Sequence, residues 1–325
     1  MTHTIILTVG TSSTQIGQTA MRQVQSHGES DRASAVFVFA EDPGFFGIDQ
    51  MPGVRWHRLP KMREILRAVT DDPDAYPWLT PEAIGTIRTL ASAPGDGLAG
   101  SPGAGRVAFT LVAAEVYNSL KSLYDDARTR GDDVEVLIVT CCVGGTSRGS
   151  LLEAGLLVQA ACPDASVRRN VLVLPSFAAG AHDHEYSRRA ANALSALQLV
   201  EEGMVLRPRQ FTGPNGRETV ESTLADEVLV VAPAYQADPH ASVRSIDQIP
   251  EILAATARIV GGLAGGERAW KELMNRTMDS TAQRVEQVGN GRFRWVCAVN
   301  EARIVCGEER LLEGVRDGVG GVPVM

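Results

Sequence analysis

A glycine-rich turn between a buried strand and a helix constrains this chain more than any other feature of its sequence. The largely apolar run VEVLIVTC, residues 134–141, predicts a strand buried on both faces, and CVGGTSRGS follows it at residues 142–150. Leu152, Leu156 and Ala160 then repeat at four-residue steps, which predicts a helix. Glycines let a ligand approach the backbone closely, and a helix N-terminus presents unpaired N–H groups and a positive dipole end. The turn is therefore predicted to bind an anion.

The side chains of this turn suit a phosphate group. Hydroxyls are potential hydrogen-bond donors, and a guanidinium pairs with phosphate oxygens at about 1.5–3 kcal/mol for each charge-assisted bond. The candidate phosphate-binding residues of the turn are Gly144, Gly145, Thr146, Ser147, Arg148 and Gly149.

The residues of this turn also allow other interpretations. Residues 145–149 fit GxSxG, the nucleophile elbow of α/β-hydrolases, with Ser147 as the nucleophile. Asp226 or Asp238, followed by His240, has the order that a Ser-Asp-His triad requires, although no HGGG-like segment precedes the turn. The turn is also open to a purely structural reading, in which it only packs the helix on the strand. A Walker phosphate loop is excluded because Ser150 stands where that motif requires lysine.

A second turn of small residues follows the first predicted strand. Gly10, Thr11, Ser12 and Ser13 come directly after it, without the GxGxxG pattern of dinucleotide-binding folds. Two phosphate-capable turns at the carboxyl ends of parallel strands predict a single nucleotide at that edge of the sheet. Glu41 and Asp42 follow the second strand, where carboxylates would meet a ribose or a hydrated Mg²⁺ ion, or solvent.

The alternation of apolar β-branched runs with segments of helical period predicts an α/β fold, a parallel sheet covered by helices on both faces. The residues between 91 and 105 and between 207 and 216 are rich in glycine and proline and are predicted to be surface loops. A long helix is predicted from Ser245, and a strand at Phe293–Val299 follows an Asn-Gly turn. The other predicted strands are Thr4–Val9, Val36–Ala40, Val134–Cys141, Val171–Leu174 and Glu227–Ala232.

Composition excludes several function classes. With 44% hydrophobic and 22% charged residues, the 325-residue chain can bury a large core, and its net charge of −8 argues against nucleic acid as a partner. No apolar run reaches the roughly 20 residues that cross a bilayer, which predicts a cytoplasmic protein without a membrane span. The five cysteines are odd in number and lack metal-ligand spacing, so we expect reduced thiols and no protein-held metal site.

The chain resembles the tubulin/FtsZ superfamily, in particular its bacterial tubulin-like branch. That family has a GGTGSG turn after its fourth strand, and this chain has GGTSRG at residues 144–149. The segment GRVAF at 105–109, with VYN at 116–118, is similar to a helix of that branch in order and spacing. So is LPSF at 174–177, followed by RRAANAL at 188–194. The resemblance covers roughly residues 1–310.

The resemblance implies a Rossmann-like nucleotide-binding domain at residues 1–244, a central helix and acidic loop at 245–285, and a truncated second domain at 286–325. It makes residues 10–13 and 144–149 the loops around the phosphates of GTP or GDP with Mg²⁺. Glu185 and Arg189 would lie near ribose and phosphate, and Glu251 on the central helix would recognise the base. Asp279 would orient the attacking water in the next subunit's site.

The function implied is a slow GTPase that associates head to tail into filaments, and a non-catalytic nucleotide-binding scaffold is the alternative. Three departures from the family pattern stand out. Ser147 and Arg148 replace glycine and a small residue in the turn, and Ala234 stands where FtsZ-like chains carry a base-reading asparagine. Few residues follow Val299, fewer than the family's second domain requires.

Overall fold

A computed structural model describes residues 1–48, 51–92, 98, 100–142, 144–174, 183–231, 249–266, 296–300 and 303–305. The strands are β1 Thr2–Val9, β2 Ala33–Phe39, β3 Val54–Arg58, β4 Asp133–Cys141, β5 Val167–Val173, β6 Arg207–Gly213, β7 Gly216–Ser222, β8 Glu227–Val231, β9 Val296–Asn300 and β10 Arg303–Val305. The helices are α1 Thr11–Ser26, α2 Pro43–Phe46, α3 Met62–Asp71, α4 Pro81–Ser92, α5 Pro102–Thr129, α6 Gly145–Ala161, α7 Asp183–Gly203 and α8 Ile249–Ala264.

Eight strands form one sheet in the order β10-β9-β8-β5-β4-β1-β2-β3. All neighbouring pairs are parallel except β10 with β9, which is antiparallel. Parallel strands need crossover connections, and helices of this chain cover both faces of the sheet. The predicted α/β fold with a parallel sheet flanked by helices is confirmed.

Two helical layers enclose the sheet because successive side chains of a strand point to opposite faces. On β1, Ile6 packs into the cluster that α1 and α8 form on one face. Its neighbours Ile5 and Leu7 pack into the cluster on the opposite face, to which α3, α5 and α6 contribute. Helix α7 covers that second face over β5 and β8. Full burial of one such side chain contributes about 1.5–3 kcal/mol, so the apolar strands determine the layered arrangement.

The five principal predicted strands are confirmed, with ends that differ by up to four residues. Strand β3 and helices α3 and α4 were not predicted. The region predicted as a loop at 207–216 is instead most of a two-stranded hairpin, β6 with β7. Phe211 explains its stability, because this side chain is 3% exposed and packs into the core beneath α5 and α6. Pro208 is tolerated because a strand of a two-stranded hairpin always has a free edge.

The predicted loop at 91–105 is also shorter than expected, since α4 ends at Ser92 and α5 begins at Pro102. Ser101 caps α5 by accepting a hydrogen bond from the N–H of Ala104 at 3.3 Å, and Pro102 occupies the first helical position. Proline and glycine therefore open a helix here, because the first turn needs no donor from the proline nitrogen.

The long helix predicted from Ser245 is α8, which begins at Ile249 within the described residues and packs along α1. The proposed cap at Ser245 lies outside the described residues. The predicted strand at Phe293–Val299 corresponds to β9, which lies beside β8 as a further parallel strand. The described strands of residues 286–325 thus extend the main sheet, and the division into three domains stays a prediction.

Candidate functional site

The direction of the chain reverses within the sheet between β1 and β4. From β1 the chain moves outward to β2 and β3, and it then returns to β4 on the other side of β1 and continues to β5 and β8. The helices after β1 and β4, α1 and α6, lie on opposite faces of the sheet. Such a reversal opens a crevice beyond the carboxyl ends of the two strands, where open α/β sheets bind ligands. We call it the switch-point crevice.

Residues 10–13 form the first wall of this crevice. Gly10 has φ +92°, a conformation that favours glycine, and its N–H donates to the carbonyl of Val38 on β2 at 2.7 Å. A Cβ at position 10 would lie 2.7 Å from the Ser147 hydroxyl oxygen, so the turn also needs glycine for space. No described side chain caps α1, which leaves the N–H groups of its first turn available to an anion.

Gly144 begins the second wall as the N-cap residue of α6. Its φ of −87° is open to any residue, and a Cβ there would meet no atom of the described residues within 4 Å. Helix α6 likewise has no side-chain cap among the described residues. Gly144 therefore faces open space in front of unpaired backbone N–H groups, as an anion-binding turn requires.

Gly145 and Gly149 serve a different purpose, which is the close packing of α6 against the start of α5. A Cβ on Gly145 would overlap the backbone of Gly100 and Ser101, and one on Gly149 would overlap the carbonyl of Pro102. Gly105 of α5 is packed as tightly, because its Cβ would lie 2.6 Å from the Gly145 carbonyl oxygen. The structural reading of the turn, in which glycine packs helices together, therefore applies to these positions and not to Gly144.

The start of α5 is the part of this site that the sequence did not reveal. Its first turn packs directly on residues 145–149, so three helix N-termini meet near the carboxyl edge of the sheet. The glycine at position 105 was the available signal, but the sequence does not show which segment it packs against.

Ser147 is buried between the two turns, with 4% of the residue exposed. Its hydroxyl donates to the carbonyl of Val9 at 2.5 Å and lies 3.2 Å from the hydroxyl of Ser13. Asp226, one of the two carboxylates considered for a triad, accepts two hydrogen bonds from the Arg168 guanidinium at 2.8 Å each. A nucleophilic serine must be accessible and paired with a base, so this geometry does not support the hydrolase interpretation. Asp238 and His240 lie outside the described residues.

Arg148 carries a charge without an ion pair in the described part of the chain. Its Nε atom is buried and has no hydrogen-bond partner, and burial lowers the pKa of its guanidinium. Burial also raises the pKa of the neighbouring Cys142 thiol far above its usual range, so this thiol stays neutral and cannot balance the arginine. An unpaired, partly buried cation beside uncapped helix N-termini favours an anionic ligand.

Glu41 and Asp42 differ in their surroundings. Glu41 accepts a hydrogen bond from the Thr11 hydroxyl at 2.6 Å through one oxygen, whereas its other oxygen is buried without a partner. Asp42 is exposed and caps the short helix α2 by accepting from the N–H of Gly44 at 2.9 Å. Glu41 therefore has one oxygen without a partner among the described residues, next to the turn at residues 10–13, and Asp42 has a local structural role.

Four other predicted site residues are not brought to the crevice by any described contact. Glu185 and Arg189 belong to α7 and Glu251 to α8, and their side chains are not among those described. Asp279 and Ala234 lie outside the described residues. In the described part of the chain, no group of three His, Cys, Asp or Glu side chains could hold a metal ion. None of its helices combines the length and apolar character of a bilayer-spanning segment.

The strand order and the helices on both faces of the sheet define a doubly wound α/β fold with a glycine-rich turn after β4. No protein-family model matches the chain, and no curated protein matches its sequence.

Solved structures of tubulin-like proteins are similar to this one, and the CetZ2 structure confirms the fold that the sequence resemblance implied. CetZ2 from Haloferax volcanii, solved as a GTPγS-bound protofilament, is 14% identical, with a TM-score of 0.50 over 98% of each chain. CetZ1 from the same organism, solved as a GDP-bound monomer, is 14% identical, with a TM-score of 0.48 over 90% of this chain and 74% of that one. TubZ of Clostridium botulinum phage c-st is 12% identical, with a TM-score of 0.38 over 79% of this chain and 57% of that one.

Proposed function

We propose that this protein binds a guanine nucleotide in the switch-point crevice, with the phosphates between the first turns of α1 and α6. The observation that carries the proposal is the convergence of two helix N-termini without described side-chain caps at the topological switch point. Backbone N–H groups and two helix dipoles aimed at one crevice stabilise negative charge. The nucleotides in the CetZ2 and CetZ1 structures, GTPγS and GDP, support guanine as the base.

Individual residues have distinct roles in this proposal. The backbone of residues 10–13 and 144–146 holds phosphate oxygens, and the Arg148 guanidinium adds a charge-assisted contact. The unpartnered oxygen of Glu41 suits Mg²⁺, which prefers a few carboxylate ligands together with phosphate and water. When bound, Mg²⁺ would neutralise phosphate charge. Glu185 and Arg189 are proposed to contact ribose and phosphate, and Glu251 to contact the base.

Slow GTP hydrolysis and head-to-tail association form the second half of the proposal. Asp279 would be supplied by the next subunit, where it would orient the attacking water. The protofilament form of CetZ2 supports such an assembly for a chain of this fold. A non-catalytic nucleotide-binding scaffold is the alternative, and it predicts the same binding site without turnover.

Isothermal titration calorimetry with GTP, GDP and ATP in the presence of Mg²⁺ tests the binding site. Gly144→Ala is the most informative variant, because its Cβ would meet no atom in the described part of the chain and would obstruct an approaching ligand. We expect wild-type binding with a preference for guanine, and weaker binding by Gly144→Ala with unchanged thermal stability. Equal affinity of wild type and variant for GTP would remove residue 144 from the site.

Nucleotide turnover at increasing protein concentration tests the shared catalytic site. Turnover per chain should rise with concentration, because a head-to-tail interface is needed to complete each site. Asp279→Ala should preserve binding and lower turnover about a hundredfold or more, the usual effect of removing a group that acts in the transition state. A mixture of Asp279→Ala and Gly144→Ala chains should recover some activity. Turnover that is independent of concentration and of Asp279 would favour the scaffold.

A further inference from the structure

Two buried serines meet across the switch-point crevice. Ser13 lies in the first turn of α1 and is fully buried, and Ser147 lies in the first turn of α6 and is 4% exposed. Their hydroxyl oxygens are 3.2 Å apart, although 134 positions separate them in the sequence. The hydroxyl of Ser13 also accepts a hydrogen bond from the N–H of Cys141 at 3.1 Å.

The partners of the two hydroxyls assign every proton in the chain of hydrogen bonds. Ser147 donates its one proton to the Val9 carbonyl, so the contact between the serines must use the proton of Ser13. The order is therefore Cys141 N–H to Ser13, Ser13 O–H to Ser147, and Ser147 O–H to Val9. We call this series the hydroxyl latch.

The latch lies where β1 and β4 separate. The last pair in register between these strands is Thr8 with Val139, so Val9 and Cys141 both lie beyond the paired residues. The latch joins the carbonyl of Val9 to the N–H of Cys141 through two side chains, one from each face of the sheet. Buried backbone groups that lose a partner cost about 1–3 kcal/mol, which the latch avoids at the base of the crevice.

We propose that Ser13 and Ser147 are positioning residues that hold the two phosphate-binding turns at a fixed separation before the nucleotide arrives. This inference rests on the proposed nucleotide-binding function. A site whose turns are already in place does not spend binding energy on ordering them, so preorganisation strengthens binding. The family turn GGTGSG has glycine where this chain has Ser147, and a glycine cannot form the latch. The latch is therefore a device that the sequence of this chain adds to the turn.

Ser147→Ala tests the proposal, and Ser150→Ala is its matched control. Ser150 is also fully buried in α6, but its hydroxyl donates only within its own helix, to Thr146 and Ser147 carbonyls at 2.9 and 3.2 Å. We expect Ser147→Ala to weaken binding of GTP about tenfold, the effect of losing one buried hydrogen bond of about 1.4 kcal/mol. Ser150→Ala should bind GTP as wild type does. Binding of guanosine, which lacks phosphates, should be equal in all three proteins.

Ser13→Ala and the double variant show whether the two serines act as one unit. Each single substitution breaks the same chain, so Ser13→Ala with Ser147→Ala should weaken GTP binding by little more than either change alone. Additive losses, or a loss that is equal for GTP and guanosine, would overturn the positioning role.

Amide hydrogen exchange of the nucleotide-free protein provides a readout that does not depend on the ligand. Ser147→Ala should speed exchange of the Thr14 amide of α1, which donates to the Gly10 carbonyl at 2.9 Å on the opposite face of the sheet, whereas Ser150→Ala should affect α6 alone. Unchanged exchange in α1 would contradict the latch. Absence of GTP binding by the wild type would instead contradict the proposed function, so the two failures are distinguishable.

Discussion

The two ends of the parallel sheet differ in whether their buried charged side chains form ion pairs. At the amino end, the Arg169 side chain is 6% exposed and lies between Glu135, at 3.0 Å, and Glu227. Beside it, Arg168 and Asp226 form a two-fold hydrogen-bonded ion pair. At the carboxyl end, Arg148 has no ion pair in the described structure, and one oxygen of Glu41 is buried without a partner.

This difference separates charges that support the fold from charges that are open to a ligand. A buried charge is costly unless it is paired, and the Arg168 and Arg169 guanidinium groups at the amino end are each paired with carboxylates of the chain. The carboxyl end leaves a cation, a carboxylate oxygen and two helix N-termini without partners among the described residues. Polar groups that lack protein partners are open to a ligand, and the predictions below test this contrast between the two ends.

The largest expected effect is at the amino end. Arg169→Met should lower the free energy of unfolding by about 3–5 kcal/mol, because it leaves two carboxylates buried without their shared partner. Chemical denaturation measures this loss. Converting Glu135 and Glu227 to glutamine in the same chain should recover part of it, since the uncompensated charge is then removed. A loss below about 1 kcal/mol would mean that the cluster behaves as an exposed ion pair.

Arg148→Ala should have the opposite effect, a loss of GTP affinity without a loss of stability. We expect GTP affinity to fall by about 1.5–3 kcal/mol, as a charge-assisted phosphate contact is lost, with unfolding stability nearly unchanged. Calorimetry and denaturation on the same samples separate the two quantities. Arg168→Ala is the control, because its ion pair with Asp226 predicts lost stability and preserved affinity. If Arg148→Ala destabilised the fold and bound GTP normally, the contrast between the two ends would be wrong.

At the carboxyl end, Gly145→Ala and Gly144→Ala should differ in their effect on stability. The new methyl group would overlap the backbone of Gly100 and Ser101, which predicts a loss of about 1–3 kcal/mol from overpacking. Gly144→Ala should change stability by less than about 0.5 kcal/mol, because its methyl group meets no atom of the residues that the structure describes. Thermal unfolding of the two variants without nucleotide compares them directly, and equal melting temperatures would contradict the division between packing and ligand-facing glycines.

The smallest effect concerns protonation of His3 at the amino end. Its Nδ1 lies 3.0 Å from the Asp31 carbonyl and 3.2 Å from Arg130, and its Nε2 lies 3.0 Å from the Ser34 hydroxyl. Burial lowers the pKa of His3 below its usual 6.5, with Asp31 and Asp132 opposing this and Arg130 adding to it. The unfolded chain therefore binds the proton first, and stability should fall as pH decreases below about 6.5.

His3→Gln provides the check on this pH dependence. Glutamine can donate and accept hydrogen bonds without titrating, so the variant should lose less stability than the wild type between pH 7 and 5.5. Because burial also lowers the pKa of His57, some dependence on pH should remain. A steeper loss in the variant would contradict the assignment of a neutral His3.

The sequence by itself determined the elements whose signals are local. Continuous apolar runs predicted β1, β2, β4, β5 and β8, and the glycine-rich turn placed a helix N-terminus directly after β4. These predictions were confirmed because burial on both faces of a parallel sheet leaves a pattern in consecutive residues. The hairpin β6–β7 was missed because its stability comes from Phe211 reaching a core formed by distant helices.

Only the tertiary structure decided what each residue of the turn does. Gly144 and Gly145 are adjacent and identical in sequence, yet one faces open space and the other packs against α5. Ser147 and Ser150 likewise differ because the hydroxyl of Ser147 meets Val9 and Ser13, which come from a distant part of the sequence, whereas that of Ser150 bonds within α6. The physical reason is that close packing and buried hydrogen bonds depend on which segments meet in space, and the meeting of α1, α5 and α6 at one crevice is a property of the topology rather than of any local stretch of sequence.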